Sequence, residues 1–195
     1  MRQPFAILLL SASLVGCQTA EEIFADVESN PGACPSALTL YDAHRSVEFA
    51  DPASYTNGQA VYSGVSYTGE LLAVRSLCRY YEDRPIIANL EIDMGFGRGP
   101  AATAETHTYR YFVAVTRRDT VVIHRETFPI TVRFRPGEDR VFLQETIDRI
   151  TIPRADEGIS GDNFEIIVGF DLTEDQIAWN RTGQRFRANS GTTGN

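Results

Sequence analysis

Three side-chain types in this chain have the intrinsic chemistry for covalent or ligand work. The cysteines are Cys17, Cys34 and Cys78, and the histidines are His44, His107 and His124. No two histidines stand at i, i+2 or i, i+4, and none has a Cys or carboxylate at the spacing of a zinc motif. Ser66 lies between Gly64 and Gly69, yet the stretch does not fit G-x-S-x-G and reads as strand. Gly95-Phe96-Gly97-Arg98-Gly99 lacks the Lys-Ser/Thr of a phosphate loop. Asp156, Glu157 and Asp162 match no EF-hand spacing and read as a solvated acidic loop. No catalytic set, metal site or cofactor motif is therefore expected. Tyr and Arg are frequent at binding hot spots. On that ground Tyr80 and Tyr81 beside Cys78, with Phe96 and Arg98 of the glycine-rich stretch, are the candidate partner contacts, and Tyr rings capping a core are the alternative.

The first cysteine has a context of its own. Met1-Arg2-Gln3 carries a positive charge, and Pro4 to Val15 is mostly apolar. Roughly a dozen apolar residues are too few for a stable membrane-spanning helix, and the pattern is that of a secretory leader. Its end, Leu14-Val15-Gly16-Cys17, resembles the lipobox of bacterial lipoproteins. The resemblance implies a diacylglyceryl group on the Cys17 thiol, cleavage before it, and acylation of the new amino group. Two or more fatty chains hold a protein to a bilayer effectively for good, at about 0.8 kcal/mol per buried CH₂. Gln18 is not the Asp that favours inner-membrane retention in such proteins, which implies the outer membrane, periplasmic face. The inner membrane and the cell surface are the alternatives.

Removing residues 1–16 leaves 179 of the 195, enough for one domain with its own core. All 18 basic residues are Arg, against 26 acidic ones, for a net charge of −8. An acidic chain without a basic face is not a nucleic-acid binder. In an exported protein the remaining pair, Cys34 and Cys78, suits a disulfide, with two separate buried thiols as the alternative.

The elements that must position these residues read mostly as strands. Residues 17–33 are acidic, end in Ser29-Asn30-Pro31-Gly32, and read as a tether averaging ~20–25 Å end to end. Strands are expected at Ala37–Leu40, within Ala60–Val74 (Gly64 and Gly69 marking a bulge or kink), and at Ser76–Tyr81. Ile86, Ala88, Leu90, Ile92 and Met94 alternate with Asn89, Glu91 and Asp93, giving the clearest strand. It should end at Gly95, with an exposed loop to Glu105. Thr108–Thr116 and Thr120–Thr127 read as a hairpin, and Phe128–Phe134 as a further strand, with Pro129 marking a sheet edge or a bulge. Val141–Pro153 fits strand or helix and reads as strand for its β-branched Ile147, Ile150, Thr151 and Ile152, and Phe164–Phe170 completes the set. Thr173 with Gln176 makes a capping box for one short helix carrying Trp179, and 182–195 reads as a frayed tail.

These elements predict an all-β fold, an immunoglobulin-like antiparallel β-sandwich over 34–181 with one short C-terminal helix. A small closed barrel is the alternative. The whole chain resembles a set of proteobacterial lipoproteins. It shares with them Cys34-Pro35, the later Cys78, Tyr111-Phe112-Val113-Ala114-Val115, and Val168-Gly169-Phe170-Asp171-Leu172-Thr173-Glu174-Asp175-Gln176. That set carries no known activity, so the resemblance implies localisation and fold only. The expected function is a non-enzymatic binding or assembly module, with the membrane as one partner through lipidated Cys17 and an envelope protein as the other. A carrier of a small apolar ligand is the alternative, and an enzyme the least supported.

Overall fold

Among the described residues, alternating apolar residues give eight strands, and one capped segment gives an α-helix. The structure, a computed structural model, describes residues 32–57, 60–118, 121–184 and 186. The leader, Cys17, all but 32 and 33 of the expected tether, and most of the expected tail lie outside the described residues.

The strands are β1 (Ser36–Thr39), β2 (Arg45–Phe49), β3 (Val65–Arg79), β4 (Ile86–Arg98), β5 (Thr106–Arg117), β6 (Val121–Arg133), β7 (Arg140–Ile152) and β8 (Phe164–Phe170). The helix α1 spans Glu174–Arg181. The strands form two four-stranded sheets, ordered β1-β8-β5-β6 and β2-β3-β4-β7. This is the all-β sandwich with a short C-terminal helix that the sequence predicts. Every pairing is antiparallel except β1 with β8, which is parallel.

The inward face of β4 has Ile86, Ala88, Leu90, Ile92 and Met94 fully buried. They meet Tyr109, Tyr111, Val113 and Val115 of β5 and Ile166, Val168 and Phe170 of β8 in one core. A second cluster sits under α1, where Trp179 packs edge-on to Phe49 with ring centroids 5.7 Å apart. Thr173 Oγ1 accepts from Gln176 N and Gln176 Oε1 accepts from Thr173 N, the reciprocal cap expected at this terminus.

Cys34 and Cys78 form the disulfide, with Cα atoms 5.6 Å apart. It ties the segment before β1, in one sheet, to β3 in the other. Ser76 Oγ adds a hydrogen bond to Pro35 O at 2.7 Å.

Several boundaries differ from the sequence expectation. β4 does not stop at Gly95 but runs through Arg98. Gly95, Gly97 and Gly99 mark close approaches, not a flexible loop. A Cβ on Gly97 would lie 2.4 Å from Thr68 Oγ1, and one on Gly99 2.2 Å from Val65 O. β3 is one continuous strand, and its register against β4 shifts at Leu71–Ala73, away from Gly64 and Gly69. β6 joins what reads as two strands, and Pro129 does sit on a sheet edge.

Candidate functional site

The expected partner contacts do not converge on one surface. Phe96 is 2 % exposed, its ring 4.5 Å from that of Tyr109. Tyr80 is also 2 % exposed; its hydroxyl donates to Ala33 O at 2.7 Å and accepts from Gly161 N at 2.9 Å. Both are interior residues, which corrects their reading as surface contacts. Arg98 spends its guanidinium on Ala104 O at 3.1 Å. Tyr81, half-buried, carries Arg84 over its ring at 4.1 Å.

The inward tyrosines direct their hydroxyls to backbone carbonyls inside the sandwich. Tyr67 Oη donates to Ala104 O at 2.9 Å and Tyr109 Oη to Thr68 O at 3.0 Å. Burial raises the Tyr109 phenol above its ordinary range. Burial first, then the charge of Glu145, pushes Tyr111 up to about 12. An unfolded tyrosine ionises near 10. Above that pH the unfolded chain gives up phenolic protons while the folded one keeps them, so stability falls between about 10 and about 12. The melting temperature should therefore drop across that window, and Tyr111→Phe should flatten the slope. An unchanged slope in Tyr111→Phe would show that this phenol is not coupled to folding.

His107 is the half-buried histidine with a carboxylate partner. Its Nε2 lies 3.0 Å from Glu48 Oε1, and its ring stacks on Tyr67 at 4.0 Å. A base–carboxylate pair is half of a nucleophile-activating arrangement. The hydroxyl of Ser66, from the glycine-flanked stretch, donates instead to Glu48 O. The pair links β2 to β5 across the sandwich. His44 Nδ1 lies 2.6 Å from Tyr41 O, and His124 stands 3.9 Å from Glu126 on an exposed strand. Among the described residues no three His, Cys, Asp or Glu side chains gather to hold a metal. Asp156 and Asp162 close local turns through Gly158 N and Ser160 Oγ.

The distinctive feature is the open edge between β6 and β7. The strands border their respective sheets and, among the described residues, each pairs on one side only. Between them lies a cleft of about 360 Å³, floored by Val113, Val115, Phe128, Ile147 and Ile150. His124, Glu126, Asp148 and Arg149 supply its polar lining. A second cleft of about 310 Å³ adjoins it and shares Ile123 and Pro153. Both walls carry irregularities that bend strands. The β5–β6 register shifts at Val115–Thr116, and the β4–β7 register shifts at Ala88–Leu90. Arg149 takes φ +61°, a conformation that costs a non-glycine residue about 1 kcal/mol or more. Its backbone N donates to Asn89 Oδ1 at 3.1 Å.

At the end of this edge Val121, Val122 and Ile123 are 59 %, 59 % and 42 % exposed. Edge strands are usually protected by charge, proline or brevity, and three exposed aliphatics in a row are the opposite. Strand-by-strand alternation passes over this feature. Its signal in the sequence is the unbroken run Val121-Val122-Ile123, which violates the period of two.

No family model matches this chain, and comparison with curated proteins and with solved structures finds no match to either.

Proposed function

We propose that this protein is a lipid-anchored, non-enzymatic binding module of the bacterial cell envelope, held at the membrane through Cys17. Its contact face is the β6 edge, and its partner is an extended polypeptide segment that adds to that edge as a strand. The observation that carries the reading is the solvent-facing run Val121-Val122-Ile123 on an edge strand of 13 residues. Backbone groups of such an edge give a partner strand its affinity, and alternate side chains entering the cleft give specificity. The lipobox-like Leu14-Val15-Gly16-Cys17 supports the anchor, and the net charge of −8 disfavours nucleic acid.

A photo-crosslinking residue at position 122, irradiated in intact envelopes, should join the chain repeatedly to one envelope protein. Val122→Asp should abolish protein capture by a probe at 124 without lowering stability. Scattered products at low yield would remove the reading. In the same preparation, Cys17→Ser should shift the protein from the membrane to the soluble fraction, and mass spectrometry should find the diacylglyceryl group on Cys17.

A second reading is favoured by the cleft itself. About 360 Å³ lies within the ~300–1,000 Å³ typical of small-ligand sites, so a small apolar molecule would fit. Native mass spectrometry of protein purified without detergent distinguishes this carrier from the strand-binding module by a bound mass.

A further inference from the structure

The chain enters the sandwich beside the second, smaller cleft. Gly32 lies against the loop after β7: a Cβ there would stand 2.4 Å from Ser160 Oγ and 3.1 Å from Tyr80 Oη. Ile159, the residue before Ser160, forms the cleft wall together with Pro153, Ala155, Phe164, Val121 and Ile123. Among the described residues, Arg117 is the one charged member of that lining. The described lining is thus apolar apart from Arg117.

The chain immediately before Gly32 has the complementary composition. Glu21-Glu22-Ile23-Phe24-Ala25-Asp26-Val27-Glu28 sets three large apolar side chains among four carboxylates. From Gly32 back to Val27 is five Cα steps, a reach of up to about 17 Å, and back to Phe24 eight steps, up to about 27 Å. A short connection of this kind gives the segment a high effective concentration at the cleft, on the order of millimolar.

We infer that the cleft is a docking site for the chain's own segment Ile23–Val27. The segment then shields the aliphatic edge, and a strand arriving at β6 must displace it. The anchor-proximal chain is in this way a built-in competitor at the contact face. The inference extends the binding reading to its regulation, yet it stands on the cleft and the entry point of the chain alone.

The test places benzoylphenylalanine at position 24 of the full chain, irradiates it in envelopes, and maps the linked peptides. Links within the chain to 121–123 and 153–159 are expected, at five or more times the yield of the same probe at position 19. Ile123→Glu, or Ile159→Glu should the first not fold, is expected to lower that yield at least fivefold with the circular dichroism unchanged. Equal yields from positions 24 and 19, or links spread over the whole surface, overturn the inference. Links from position 24 to another protein alone overturn it too, while leaving the strand-binding reading in place.

Discussion

Replacing Cys34 and Cys78 together by serine is expected to lower the melting temperature by roughly 8 to 16 °C, the equivalent of about 4 kcal/mol. The bridge spans a sequence separation of 44 residues, and closing a loop of that length removes about this much freedom from the unfolded chain. The folded side of the balance points the same way. β1 is a four-residue strand and the single parallel member of its sheet. Without the bridge it keeps its ladder to β8, the Ser76–Pro35 hydrogen bond and the Tyr80–Ala33 hydrogen bond. Those are contacts that one local opening can break together. Calorimetry with and without reductant checks the expectation: the native protein should drop to the melting point of the double variant, which should not respond. A drop under about 3 °C would mean that the bridge leaves the entry of the chain unconstrained.

The same bridge shows what was legible in the residues alone. Cys34 and Cys78 can be paired because the lipobox-like stretch claims Cys17 and leaves two thiols. Period-two alternation locates β4, β5 and β8, since Ile86 to Met94 and Phe164 to Phe170 each have one buried side. The capping box of α1 is visible because all its partners lie within four residues. What escapes depends on contacts distant in sequence. The glycines of 95–99 read as a loop when only neighbours are considered. In the fold they are where Phe142, Thr68 and Val65 approach β4. Phe96 between them is interior for the same reason. The tyrosine hydroxyls find carbonyls 37 and 41 residues away, which no local pattern announces. The open edge is the least legible feature. It exists because β6 and β7, joined by a short turn, end in different sheets and each stands outermost. Strand order is not written in the periodicity of any single strand.

Arg154 is expected to be the most sensitive charged residue of the sandwich. Its Nε donates to Arg84 O at 2.8 Å, and its Nη1 to Glu157 O at 3.2 Å and Ile159 O at 3.0 Å. Its Nη2 donates to Tyr81 O and Glu82 O, and the guanidinium lies 4.8 Å from the centre of the Tyr80 ring. One planar cation thus joins the β3–β4 turn to the loop that follows β7. A guanidinium spreads five donors in a fixed fork, whereas an ammonium is a single point of charge on a flexible stem. Arg154→Ala should cost roughly 2–4 kcal/mol, and Arg154→Lys should recover less than half of it. Hydrogen exchange gives the sharper reading. Protection should fall first in 153–161 and then in 32–36, because Tyr80 Oη and Gly161 N connect that loop to the entry of the chain. Ile159 and Pro153 belong to the cleft wall, so the variant should also loosen whatever the cleft holds. Exchange that rises evenly across both sheets would show that the cation is no local joint. Full recovery of stability by Arg154→Lys would show that charge alone matters at this position and not the fork.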